Sequence, residues 1–232
     1  MEVKTKNFFK FKAPLEDGGG SGSVGAHFEK LVFGDDTMVS DDTTDAKYGQ
    51  MSLAVGKDSG WYEIDLGMAE HYFWGKNEGC HIFENTCSTA NVSEFCSEDY
   101  ASECSDNHIY RTSCSSSTFT GNCKINLNVK SCKKHHTPSQ NLYHFGNDAM
   151  CLNTQTTTGS MSKSSGCFKI ECAEDKASYK VHTHSGTDPL VVDCASAGQK
   201  STGFKYNIEF TCEDPAIICQ SHTSCPDDCH FR

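Results

Sequence analysis

Alternating apolar and polar residues give the clearest structural signal in this chain. The segment GFKYNIEF (203–210) places an apolar residue at every second position. These residues are Phe204, Tyr206, Ile208 and Phe210. Because successive side chains of a strand point to opposite faces, the segment predicts a half-buried β-strand. The same reasoning predicts strands in KINLNVK (124–130), CFKIEC (167–172) and SYKVHTHS (178–185).

One segment, YGQMSLAVGK (48–57), has helical spacing instead. Its apolar side is formed by Tyr48, Met51, Val55 and either Leu53 or Ala54. Gly60 follows where a left-handed residue commonly ends a helix. We therefore predict one helix here. The polar run TQTTTGSMSK (154–163) predicts a linker or a long loop, and marks a further boundary inside the C-terminal region.

Cysteine usage indicates a disulfide framework. The chain of 232 residues has fifteen cysteines, all at or after Cys80, and from Cys80 to Cys132 they recur every seven to ten residues. Zinc fingers need close C-x2-C pairs, and the sequence contains none. We expect disulfides formed in an oxidising compartment, with a connectivity that the sequence leaves open. Because fifteen is odd, at least one cysteine is free, joins another chain or has lost its partner to truncation.

Signals for secretion are mixed. Asn91-Val92-Ser93 is an N-glycosylation sequon. No segment is long and apolar enough to cross a membrane, and the first residues lack the apolar core of a signal peptide. We expect an extracellular or cell-surface protein from which an N-terminal portion is missing.

Charge and motifs exclude several functions. A net charge of -11 argues against nucleic-acid binding. The serines of GSGSVG (20–25) lie in polar, glycine-rich sequence, which lacks the strand and helix that a nucleophile elbow needs. His182 and His184 share a strand face, yet exposed strand histidines are commoner than metal ligands. No H-x-x-x-H pair exists, so local motifs supply no catalytic residue in this chain.

A resemblance to a known family explains the glycine-rich segment. LEDGGGSGSVGAHFEK (15–30) and DDTMVS (35–40), followed by MSLAVGKDSGWYEID (51–65) and AEHYFWGKNEGC (69–80), resemble leishmanolysin, a zinc metalloprotease family of the metzincin clan. In that family such a segment delivers the third zinc-binding histidine, which His27 matches. A later methionine forms the Met-turn beneath the metal, which Met38 matches. Glycine would let the backbone turn sharply close to the metal.

The resemblance also implies the architecture. We expect an α+β chain, in which the end of a metzincin-type catalytic domain (1–72) precedes a disulfide-rich, mainly β and loop domain (73–232). Trp61 and Trp74 are expected to be buried anchors where these domains meet. Family chemistry is peptide hydrolysis by a zinc-activated water, with peptides or proteins as substrates.

The chain departs from this family in lacking the HExxH helix, which supplies two zinc ligands and the general base. We therefore expect the 232-residue chain to be inactive alone and not to retain zinc. The leading interpretation is a fragment of a leishmanolysin-like zinc endopeptidase. The alternatives are a non-catalytic secreted or surface protein that acts in adhesion or assembly, and an unrelated cysteine-rich binding module.

Overall fold

The structure, a computed structural model, divides the chain into two compact units. The first unit comprises Met1–Cys96 and Ser115–Ile125, and the second comprises Ser97–Cys114 and Asn126–Arg232. The residues described are 14–41, 46–75, 87, 94–96, 102–121, 123–134, 143–156, 163–183, 190–201 and 208–221.

The second unit is built on a five-stranded antiparallel sheet in the order β6-β5-β4-β3-β7. Its strands are β3 (Ala149–Thr156), β4 (Lys163–Cys172), β5 (Tyr179–Thr183), β6 (Leu190–Cys194) and β7 (Ile208–Phe210). Two earlier strands, β1 (Tyr110–Ser115) and β2 (Ile125–Ser131), form a separate two-stranded sheet. A helix follows β7, and we label it α3 (Pro215–Ser221).

The interior strand β3 is buried on both faces because its alternate side chains enter two different core clusters. Met150 and Leu152 pack in one cluster with residues of β4, β5, β7 and α3. Ala149 and Cys151 pack in the other, beside Phe145. The register pairs Met150 with Phe168 and Cys151 with Cys167, so each core continues across the sheet.

Disulfides bind the second unit internally. Among the described residues its bridges are Cys104–Cys151, Cys132–Cys167, Cys172–Cys219 and Cys194–Cys212. The first unit contains the bridge Cys87–Cys123. Cys96 of the first unit and Cys114 of the second unit are also disulfide-bonded. The predicted disulfide framework is confirmed.

The described part of the first unit consists of short elements joined by turns. The one-turn helix α1 (Lys30–Phe33) ends at Gly34, and α2 (Gln50–Asp58) ends before Gly60, whose φ is 70°. A 3-10 helix follows at Leu66–Met68. Isolated bridges Leu15↔Phe28 and Phe28↔Val39 hold the chain around α1 in extended contact.

Most elements predicted from the sequence are present. The helix with its glycine stop and the strands at 125–131, 163–172 and 179–183 are confirmed, as is the α+β, disulfide-rich fold class. The strand predicted over 203–210 is seen at Ile208–Phe210, and residues 202–207 lie outside the described residues. The linker or long loop predicted over 154–163 was wrong at both ends, because Thr154 of β3 pairs with Ser164 of β4 and Gln155 of β3 pairs with Lys163 of β4.

Two expectations about placement remain predictions. The domain boundary near residue 72 has no test in the structure. The sequon at Asn91, together with His184, lies outside the described residues. None of the helices in the described part of the chain is long and apolar enough to cross a membrane.

Candidate functional site

The glycine-rich segment forms a compact turn rather than an open linker. Both Ser23 and Val24 donate their backbone N–H to the carbonyl of Gly20, at 2.9 and 3.2 Å. Gly19 and Gly25 have φ values of 81° and 71°, which lie in a backbone region that residues other than glycine rarely adopt. A Cβ at Gly19 would lie 2.5 Å from the Phe119 ring. The sharp turn expected from the sequence is confirmed, and the close neighbour found at Gly19 is an aromatic ring.

His27 lies at the end of this turn, between two backbone segments. Its carbonyl accepts the N–H of Glu16 at 3.0 Å, and the next residue, Phe28, donates its N–H to the carbonyl of Met38 at 2.8 Å. The His27 side chain is half-buried. Its Nδ1 atom is buried and has no hydrogen-bond partner, which is unusual for a buried polar atom.

Met38 lies in a turn that follows α1. Its side chain is partly buried and packs against the cluster of Phe28, Phe33 and Val39. The Met38 N–H donates to Oδ1 of Asp36 at 2.9 Å, so an aspartate side chain shapes the turn. The thioether therefore belongs to the small core of this unit, and its place beneath a metal stays a prediction.

Acidic side chains surround this region. Glu16 and Asp36 are buried, with 2% and 1% of their surface exposed. Burial raises the pKa of the Asp36 carboxyl, against the effect of the hydrogen bonds that it accepts. The pKa of Glu29 is also raised, by burial and then by the neighbouring charges of Glu16 and Asp17. Within the described residues, Glu16, Asp17 and Glu29 bring carboxylate oxygens within 4.8 Å of one another, and His27 is not part of that group.

A cavity of about 280 Å³ lies elsewhere in the same unit. Its walls include Val32, Phe33, Asp36, Met51, Tyr72 and Trp74. His27 and Met38 do not line it, although the cavity shares Phe33 and Asp36 with the surroundings of Met38.

The expectation for the two tryptophans was half wrong. Trp74 is 7% exposed and packs over Gly34, and its indole N–H donates to the Leu31 carbonyl at 3.4 Å. Trp61 is 82% exposed. It follows Gly60, the left-handed residue that ends α2, and the chain there runs along the surface with Tyr62, which is also exposed.

The family model described as leishmanolysin matches residues 8–138, more than half of the chain. The chain belongs to the leishmanolysin family. The match contains the glycine-rich turn, His27, Met38 and α2. The resemblance drawn from the sequence is therefore confirmed.

Relatives of this leishmanolysin-family chain fall into two groups. One aligns with nearly the whole chain at low identity, and the other aligns with a smaller part of it at higher identity. Leishmanolysin of Leishmania chagasi is 23% identical over 92% of this chain and 42% of its own length. A leishmanolysin-like peptidase of Caenorhabditis briggsae is 34% identical over 40% of this chain and 14% of its own length. A leishmanolysin homolog of Crithidia fasciculata is 35% identical over 35% of this chain. The chain thus spans less than half of the length of these relatives. No solved structure matches it significantly.

The leishmanolysin family implies a zinc ion, and the described residues fit only part of its ligand set. His27 offers a buried imidazole nitrogen without a partner, which is compatible with one ligand. Catalytic zinc is typically held by three protein ligands, and the sequence has no H-x-x-x-H pair to add two. Within the described residues, His27 therefore offers one possible ligand of the three that a catalytic zinc ion typically needs.

Sequence reasoning missed the two buried carboxylates near His27 and Met38. Glu16 bonds to Lys30, fourteen residues later, and Asp36 bonds to Ser52, sixteen residues later. No local spacing rule links such pairs. The only signal was that an acidic residue stands near the start of each matched segment, Glu16 in 15–30 and Asp36 in 35–40.

Proposed function

We propose that this chain supplies the third zinc ligand, His27, and the Met-turn, Met38, of a leishmanolysin-like zinc metalloendopeptidase. The observation that carries the proposal is the buried, unpartnered Nδ1 of His27 at the end of the family-matched glycine turn. A buried imidazole nitrogen without a hydrogen bond costs stability, and a metal ion would give it a partner.

In this proposal the other two ligands and the general base come from polypeptide outside these 232 residues. Residues 1–72 would be the last part of a catalytic domain, and 73–232 its cysteine-rich domain. The substrates would be peptides or proteins. The confirmed disulfides support an extracellular or cell-surface location, since such bridges persist in oxidising compartments.

Metal analysis of the purified chain tests the first consequence. One imidazole cannot hold zinc tightly, so we expect well under one zinc per molecule after dialysis and no peptide hydrolysis. Stoichiometric zinc that disappears in His27→Ala would show that this chain contains a complete site, contrary to the proposal. Asp65→Asn, a change in an exposed carboxylate of the same unit, is the control.

Sequencing of the transcript upstream of Met1 tests the second consequence. We expect an in-frame HExxH segment, and we expect His27→Ala in that longer protein to remove its zinc and its peptidase activity. An upstream sequence without HExxH would contradict the proposal.

A second candidate function is a non-catalytic surface protein of the same ancestry that acts in adhesion or assembly. The lack of any H-x-x-x-H pair in the chain favours it. Under this alternative, binding to cells or to other copies of the chain would be unchanged in His27→Ala. The transcript experiment separates the two candidates.

A further inference from the structure

The two buried carboxylates near His27 are held without opposite charges. Among the described residues, neither Glu16 nor Asp36 takes part in an ion pair, although both are almost fully buried. Burying an unpaired carboxylate is costly, so each must be compensated by the hydrogen bonds that it accepts. The donors are backbone N–H groups near His27, near Met38 and at the start of α2, together with the hydroxyl of Ser52.

Glu16 closes the loop that contains His27. One carboxylate oxygen accepts the N–H of Gly18 at 2.9 Å, and the other accepts the N–H of Lys30 at 3.2 Å. These two residues lie at opposite ends of the glycine-rich turn. The Glu16 backbone adds its own N–H bond to the His27 carbonyl and accepts the N–H of Gly25 at 2.9 Å. Glu16 therefore binds the turn at four points.

Asp36 fixes the second segment against which His27 lies. Its Oδ1 accepts both the Met38 N–H and the Ser52 hydroxyl, and the Gly49 N–H also donates to this carboxylate. Gly49 and Ser52 belong to the start of α2. Because the Met38 carbonyl in turn accepts the Phe28 N–H, Asp36 connects α2 to the residue after His27 in two steps.

We propose that Glu16 and Asp36 are positioning residues that hold the His27 imidazole in its half-buried place by fixing the backbone on both sides of it. The importance of this positioning role for zinc binding rests on the proposed function. The geometric claim concerns the 232-residue chain itself and does not require the metal.

The test is the reactivity of His27 toward diethyl pyrocarbonate, measured by peptide mass spectrometry on the intact 232-residue chain without zinc. We expect about tenfold faster modification of His27 in Glu16→Gln and in Asp36→Asn, because loss of a charge-assisted hydrogen bond changes an equilibrium by roughly that factor. Amide exchange across residues 28–39 should accelerate in parallel. The exposed His71, in the same unit, is the internal reference and should react at an unchanged rate.

Matched controls are available in the same unit. Asp65 accepts the Gly67 N–H at 2.8 Å with the same two-residue spacing as Asp36 and Met38, but it is exposed. Glu70 is exposed and accepts the Tyr48 N–H at 2.8 Å. Asp65→Asn and Glu70→Gln should leave the His27 rate within about twofold of the unmodified chain.

An unchanged His27 rate in both buried variants would overturn the proposal. Where Asp36→Asn unfolds the first unit, Ser52→Ala takes its place, since it removes one donor to Asp36 and leaves both carboxylates intact. We then expect about threefold faster modification of His27, and no increase would overturn the role of Asp36. Failure of the zinc assignment would give a different result. His27 would still be modified slowly in the unmodified 232-residue chain, but His27→Ala in a longer protein would leave its zinc content unchanged.

Discussion

In the described part of the second unit, eleven buried residues from five strands, α3 and the connection between β7 and α3 form one core cluster, whereas the corresponding cluster of the first unit has three. The larger cluster is crossed by disulfides and sheet hydrogen bonds. The smaller one consists of Phe28, Phe33 and Val39, with partly buried neighbours such as Met38. In the first unit, buried carboxylates and turn glycines hold much of the backbone in place, whereas in the second unit sheet packing does so.

This difference teaches where each unit is vulnerable. A large core with covalent bridges loses stability mainly when apolar contacts or bridges are removed. A unit with a small core depends on a few buried polar bonds and on backbone conformations that only certain residues adopt. The predicted metal ligand lies in the second kind of structure.

Removal of a disulfide gives the largest expected effect. Cys132 and Cys167 are fully buried and close a loop with a sequence separation of 35. We expect the double change Cys132→Ala and Cys167→Ala to lower the free energy of unfolding of the second unit by about 3 to 4 kcal/mol. Urea denaturation, followed by amide exchange in β3 and β4, measures it.

The control for this bridge is Cys87–Cys123, which lies in the first unit. Its removal should accelerate amide exchange in the first unit and leave β3 and β4 protected. If instead removing Cys132–Cys167 leaves the sheet as stable as before, packing alone maintains the second unit, and the contrast with the first unit is weaker than we infer.

The same contrast explains which elements the sequence could predict. Strand β5 alternates between buried and more exposed side chains because one face is buried, so its period of two could be recognised in the sequence. The interior strand β3 was missed. Because it is buried on both faces, its first residues, Ala149–Leu152, form a continuous apolar run, which periodicity cannot assign to a strand or a helix. Strand β1 was missed because its residues are mostly polar.

The site was predictable only as far as the family resemblance reached. His27 and Met38 were found by that resemblance, and the turn chemistry of the glycines agreed with it. Glu16 and Asp36 were not predicted, because the burial of each depends on a bond to a residue distant in sequence, Lys30 for Glu16 and Ser52 for Asp36. Trp61 was misplaced because hydrophobicity alone does not determine burial, and the chain after Gly60 runs along the surface.

A tryptophan pair tests the small core of the first unit. Trp74→Ala should lower the free energy of unfolding of this unit by about 3 kcal/mol, because the buried ring packs over Gly34 and its removal leaves a cavity. Trp61→Ala should change it by no more than about 0.5 kcal/mol, since that ring is exposed. Thermal unfolding of both variants, with exchange in α1, measures the difference. Equal losses would show that the exposed ring is packed in solution.

Gly25 gives the smallest expected effect and tests backbone conformation alone. A Cβ at Gly25 would meet nothing within 4 Å, so Gly25→Ala brings no steric contact. Its φ of 71° is nevertheless unfavourable for alanine, and we expect a loss of about 1 kcal/mol in the stability of the first unit. Gly25→Asn should cost less, because asparagine tolerates this region better.

Gly20 is the matched control, because a Cβ there also meets nothing and its φ is not positive. Gly20→Ala should be neutral or stabilise the unit slightly, through lower entropy of the unfolded chain. Amide exchange at Gly25 and Lys30, which report the bonds closed by Glu16, distinguishes the two variants. Equal exchange in Gly20→Ala and Gly25→Ala would mean that the turn before His27 adapts freely, and that the histidine is not held by a defined backbone path.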